Sequence, residues 1–443
     1  MKKFILIFAV PIFLLLSLSA CEDWVTSTEP QINVIEDELL NDPDQIPFLT
    51  TGVEARFAFV YTRLTVSADL LAAQLVFDEV MDLATFPTYR DINDNFANVP
   101  EQTIFASNTI RNVYTPLGGV RLLADNLLER VSGVDGIPGD VLDRATWVGN
   151  FYGAVSRYFI GFYFAESPCG ESAGVGSGGP ECISTLGGPI DESPVITAAE
   201  MMDEILPRLA AARAVSTPYQ SRVINTFEAR MHLFLGNYAD AFTAAQNGMI
   251  EGDEPFQSLH SVQAANEFYF AAGDGRIQVI PNRRFEAYIA EDPNEANRVR
   301  LKQAPDGIVN APEPRFQQDM YPVQASPMDF LTWQENELML AELEAIRGQG
   351  TADSAINRVN SVRASHGIDP IDGPVDAELI LLERDKELFL QSVRMFDLLR
   401  FNSWHDTIPG TVGAGTSNAG NPIGPWRGLP IPNDERNQNP NIN

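Results

Sequence analysis

Lysine is almost missing from this chain. After Lys2 and Lys3 it recurs only at Lys302 and Lys386, and 60 acidic against 30 basic side chains leave a formal net charge of −30. A polyanion meets net repulsion from such a molecule, so nucleic acid is excluded as a partner. Histidine is scarce too: His232, His260, His366 and His405 are scattered, and none belongs to a His-Glu-x-x-His zinc pattern. No glycine-rich turn carries the lysine that a phosphate-cradling loop needs. Beyond the N-terminus no apolar stretch approaches membrane length. These absences leave a non-catalytic protein without metal or cofactor as the expectation.

What is present begins at residue 2. Lys2 and Lys3, the apolar run Phe4 to Leu16 and the mostly small residues Ser17 to Ala20 have the layout of an export signal rather than of a permanent span. Leu18-Ser19-Ala20-Cys21 resembles a bacterial lipobox, which implies cleavage after residue 20 and acylation, palmitate included, at Cys21. Each buried methylene contributes about 0.8 kcal/mol and a single chain holds marginally, so several chains on Cys21 give a stable anchor. Residues 1–20 are the expected signal peptide and 21–45, polar and turn-rich, the lipidated linker. With Cys21 set aside, Cys169 and Cys182 remain as a pair around GESAGVGSGGPE. No histidine or further cysteine lies near, and in an oxidising compartment the pair is expected to be bridged.

From residue 46 to 443 the apolar period is mainly helical. Val120, Leu123, Ala124, Leu127, Leu128 and Val131 form an amphipathic stripe, Asp140 is a candidate N-cap, and Thr197-Ala198-Ala199-Glu200 has the form of a capping box. Two stretches, near 226–250 and 328–365, repeat one design: a helix, a turn glycine (Gly236 or Gly348) and a second helix lined with alanine. The turn from Gly236 to Ala241 resembles a tetratricopeptide repeat. The two glycines lie much farther apart than the roughly 34-residue tandem period. The hairpins are therefore expected to be a scaffold carrying large insertions, about 160–195, 250–325 and 403–443, rich in Gly, Pro and Asn with short strand-like runs. Near the end, Leu381, Leu388, Met395 and Leu399 fall on one face of an expected helix.

In the C-terminal third, Glu335, Ala341, Glu342, Ala345 and Gly348 are followed in order by Asn357 and Arg363, then by Glu383, Glu387, Phe396-Asp397 and Arg400. Pro430-Ile431-Pro432 and Asn439-Pro440-Asn441 follow. Together these give a resemblance to the SusD/RagB family of outer-membrane lipoproteins. It implies a SusD-like fold built on tetratricopeptide-like hairpins, and a surface-exposed protein of the cell outer membrane. Such proteins cap a SusC-like TonB-dependent transporter and capture oligosaccharides or, in RagB-like members, peptides. A helical-repeat envelope scaffold without a nutrient ligand is the alternative. The charged residues Glu383, Glu387, Arg394, Asp397 and Arg400 are expected to be structural, pairing across helices.

Sugars offer apolar C–H faces to aromatic rings and hydroxyls to planar polar groups, so loop aromatics beside Arg, Asp and Asn are the expected ligand residues. Two places qualify. FPTYRDINDNF offers Phe86, Tyr89, Arg90, Asp91 and Asn93, and NRRFEAYIAED offers Arg284, Phe285 and Tyr288. A tryptophan platform is not evident.

Overall fold

A computed structural model describes residues 37–169, 179–404 and 423–442. The export signal, Cys21 and the linker to residue 36 lie outside the described residues, as do 170–178 and 405–422. The fold is mainly helical. Helix α1 (Ile46–Leu71) is apolar on nearly every face and buried along most of its length, which makes it the axis of the molecule. Two short helices, α2 (Pro87–Asn93) and α3 (Glu101–Phe105), lead to the antiparallel pair α4 (Asn108–Gly133) and α5 (Gly139–Tyr163), both packed on α1. After α6 (Pro180–Ile183), helix α7 (Ala198–Ala214) packs on α5. Then come α8 (Pro218–Phe234), α9 (Tyr238–Ala245), α10 (Glu267–Ala271) and α11 (Arg284–Glu291). The last third holds α12 (Trp333–Ala345), α13 (Ala352–Ser365), α14 (Ala377–Glu387), α15 (Arg394–Arg400) and α16 (Asn433–Gln438).

The core is strongly aromatic. The Phe57 ring lies 4.8 Å from Tyr152, Tyr61 lies 5.1 Å from Phe330 and Phe151 lies 5.8 Å from Phe227, so α1, α5, α8 and the strand before α12 share one cluster. Helix contacts are close where glycine allows it: a Cβ at Gly161 of α5 would stand 2.8 Å from Met201 of α7.

Local signals are met at several helix ends. Thr197 and Glu200 cap α7 reciprocally, with Thr197 N donating to Glu200 Oε2 at 3.0 Å and Glu200 N to Thr197 Oγ1 at 3.3 Å. The α8–α9 hairpin turns at Gly236 with φ +79°, and α12–α13 at Gly348 with φ +70°. Three expectations need correcting. Asp140 sits in the first turn of α5, because Pro138 takes the cap position. Leu123 is exposed, because α4 turns Val120, Ala124 and Leu127 inward. The helix expected through Leu381 to Leu399 is broken, since Leu390 and Ser392 have φ of +58° and +66°. Side chains from elsewhere take the bonds of that turn: Leu390 N donates to Gln74 Oε1 at 2.9 Å, and the Tyr321 hydroxyl donates to Leu390 O at 3.3 Å.

The charged residues of this region form buried ion pairs. Asp397 accepts from Arg384 and Arg400, each at 2.8 Å, and Arg400 also reaches Glu342 at 2.7 Å. Glu383 is held by Arg298 at 2.9 Å and Arg363 at 2.7 Å, Arg394 lies 3.1 Å from Asp385, and Glu387 faces His366 at 3.0 Å. They tie α12 to α15 together.

Strands are two to four residues long and pair as isolated ribbons. Leu75–Val76 pairs antiparallel with Ile280–Pro281, which draws the chain around residue 280 onto the end of α1. Cys169 and Cys182 are disulfide-bonded, with Cα atoms 5.0 Å apart. Among the described residues no helix is long and apolar enough to cross a membrane.

Candidate functional site

A cavity of about 390 Å³ opens between α1, α2, α4 and α10. Each wall has a local reason. Pro87 at the first position of α2 fixes its start, and the amides of Thr85 and Phe86 just before it both donate to Gln278 Oε1, at 3.0 and 3.3 Å. This leaves Phe86 facing out, 44% exposed, with its ring edge-on to Tyr89 at 5.9 Å. Ser107 caps α4 and presents Asn108, Thr109 and Asn112 along its first two turns to the cavity. Thr88 and Thr109 share a hydroxyl hydrogen bond of 2.6 Å, joining α2 to α4.

The floor is an ion pair. Arg63 of α1 reaches Glu267 of α10 at 3.1 Å, and its guanidinium also lies 4.0 Å from the Phe59 ring. Burial pushes the Glu267 carboxyl above the usual carboxylate range, and Arg63 opposes it. Burial and the Glu267 charge push the Tyr89 phenol well up, so Tyr89 stays a neutral hydroxyl. The walls thus offer an aromatic face, two amides, several hydroxyls and a neutralised charge pair. Such a set suits a polyhydroxyl ligand that stacks by C–H faces and exchanges hydrogen bonds.

The structure divides the eight ligand candidates. Phe86 and Tyr89 line the cavity. Arg90, on the same helix, turns to the surface and pairs with Glu79 at 3.0 Å. Asp91 is half-buried away from the cavity, its carboxyl raised by burial against the opposing charge of Arg90. Asn93 is buried and serves the backbone, donating to Leu70 O at 3.2 Å and accepting from Phe77 N at 3.3 Å. The segment around Phe86 was expected outside a helix, yet residues 87–93 form one turn after another of α2.

The second group is withdrawn from any ligand. Arg284 is fully buried and gives two bonds to Asp385, at 2.7 and 2.9 Å. The Tyr288 hydroxyl donates to Asp385 at 3.1 Å, and Phe285 packs 4.3 Å from Phe389. The cause is the strand pairing at Leu75–Val76, which pulls the start of α11 into the core directly after Pro281.

Arg63, Thr88, Asn108, Thr109, Asn112 and Glu267 were missed by sequence reasoning. The polar run after Ser107 was a usable signal for the α4 residues. Nothing in one sequence pairs Arg63 with Glu267. Gly170 to Gly174 also spells the Gly-x-Ser-x-Gly pattern of a hydrolase turn, which needs a strand into the serine and a helix out of it. It lies outside the described residues, between the bridged cysteines. Cys21 is likewise outside them.

Comparison with known proteins now bears on the whole. Residues 337–443 match the model of the SusD family. No curated protein matches the sequence. Among solved structures, the chain is similar to a SusD-like carbohydrate binding protein from Bacteroides vulgatus, with TM-score 0.65 and 13% identity over 90% of this chain and 97% of that one. It is similar to a SusD superfamily protein from Bacteroides thetaiotaomicron, with TM-score 0.65 and 16% identity over 90% and 99%. Surface glycan-binding protein A from Bacteroides uniformis gives TM-score 0.64 and 11% identity over 91% and 99%. Residues 337–443 thus match the SusD family in sequence, and the fold of SusD superfamily structures extends over nine-tenths of the chain.

Proposed function

We propose that this protein is a non-catalytic lipoprotein of the outer membrane. It is anchored through Cys21, binds an oligosaccharide in the cavity beside Phe86, and delivers it to a SusC-like TonB-dependent transporter. The observation that carries this reading is the cavity, where an exposed aromatic face stands above amides and hydroxyls. The export signal and lipobox support the anchor, and the SusD family match over residues 337–443 supports the transporter. The acid in the cavity, Glu267, is held by Arg63 rather than by a hydroxyl or an imidazole, which supports binding without chemistry.

Titration of a panel of oligosaccharides into the full chain in detergent tests the reading. Phe86→Ala is expected to weaken binding about tenfold, the scale of one lost aromatic contact of about 1.5 kcal/mol. The melting temperature should stay unchanged, because the ring is 44% exposed. A chain that binds no oligosaccharide, or a variant that binds as tightly as the parent, overturns it.

A further inference from the structure

Arginine in this molecule is ordinarily neutralised by an acid. Around the cavity Arg63 meets Glu267 at 3.1 Å, Arg90 meets Glu79 at 3.0 Å and Arg315 meets Asp78 at 2.7 Å. Arg276 departs from this pattern. Its guanidinium lies 4.9 Å from the centroid of the Phe86 ring, and one nitrogen donates to Thr85 Oγ1 at 2.6 Å. Among the described residues no carboxylate stands within ion-pairing distance of it. Arg56 and Arg300 share that lack, but neither touches a ring that lines the cavity.

Arg276 is exposed, yet it is held in place. Gln278, two residues on and buried, clamps the amides of Thr85 and Phe86, so the segments carrying Arg276 and Phe86 are fixed to each other. The result is a cation mounted beside an open ring at the mouth of the cavity, in a chain with twice as many acids as bases. Thr85 occupies one donor, which leaves most of the guanidinium fork uncommitted. That fork matches the two oxygens of a carboxylate or sulfate.

We propose that the oligosaccharide bound here carries acidic substituents, uronate carboxylates or sulfate esters. Arg276 recognises them while the sugar ring lies against Phe86. The proposal rests on the glycan-binding reading above. The net charge of −30 does not oppose it decisively. At physiological ionic strength the Debye length is about 8 Å, so remote acids are screened and the groups at the cavity mouth decide. There Arg63 and Glu267 cancel, and Arg276 remains as local positive charge.

The test uses the full chain in detergent and paired probes: uronate oligomers beside their neutral methyl esters, and sulfated galactan oligomers beside their desulfated forms. At least one acidic probe is expected to bind at least tenfold more tightly than its neutral partner, with the advantage shrinking as salt rises from 50 to 300 mM. The carboxylate and sulfate arms separate the two sources of the anion. Arg276→Gln should erase the advantage of the acidic partner, whereas Phe86→Ala should weaken both partners of a pair. Neutral probes that bind as well as acidic ones, or an advantage that survives Arg276→Gln, overturn the proposal and leave glycan binding standing. Binding of hexaglutamate in place of every glycan overturns both, as does the absence of any glycan binding.

Discussion

A single side chain in the last turn of α1 carries a cost of its own. Asp69 is fully buried, and no hydrogen bond of ordinary geometry reaches either carboxylate oxygen. Burial raises its carboxyl well above the usual range, only partly offset by the Ser392 backbone and Arg284, while Asp385 adds to the rise. Because the folded value lies above the unfolded one, about 3.9, the folded state holds the proton more tightly. The stabilisation is complete below the unfolded value and is lost as pH rises through the folded one. Asp69→Asn is therefore expected to raise the melting temperature at pH 7.5 by roughly a few degrees and to change little at pH 4, as thermal melts across that range will show. An equal effect at both pH values would contradict the argument. Asp385 is the opposite case. It is equally buried, but Arg284 and Arg394 hold it well below the usual range, so the ion pair ties α11 to the core at little protonation cost.

At the scale of elements, two links hold separate segments of the chain together. Arg230 of α8 reaches Glu335 of α12 at 2.5 Å with both side chains buried, and so joins the first hairpin to the second. Removing one partner leaves an uncompensated buried charge, so Glu335→Ala should cost about 3–5 kcal/mol in urea unfolding. The double variant Arg230→Met with Glu335→Leu should recover much of that loss. A single variant as stable as the parent would show that the pair does not join the hairpins. The second link is the bridge between Cys169 and Cys182, 13 residues apart in sequence. Reducing it should lower stability by about 3 kcal/mol on the chain-entropy model, measured as a shift in the urea midpoint with and without reductant. The capping box at Thr197 and the turns at Gly236 and Gly348 were legible because each is a contract between residues a few positions apart. The break at Leu390 was not, since Gln74 and Tyr321 impose it from distant parts of the chain.

For the whole molecule, the proposed anchor and the cavity are separable. Cys21→Ala is expected to move the protein from the membrane fraction to the soluble fraction and to leave glycan affinity unchanged. Fractionation followed by titration checks both halves, and a variant that stays with the membrane counts against lipid at Cys21. The acidic, lysine-poor composition disfavours a nucleic-acid partner, but it does not locate the site. Half of the site's logic is a local surplus of positive charge that net charge conceals.

The sequence by itself determined the helical class, the two hairpin turns and the capping box at Thr197. These are set by periodicity and short-range bonding, which one chain displays directly. Tertiary structure decided the rest. It sent Arg284, Phe285 and Tyr288 inward, turned Arg90 to the surface, joined Arg63 to Glu267 and set Arg276 against Phe86. Each of those outcomes depends on which segments α1 and the strand at Leu75–Val76 bring together. Contacts between residues so far apart in the chain are chosen by the packing of the core, and no local pattern records them.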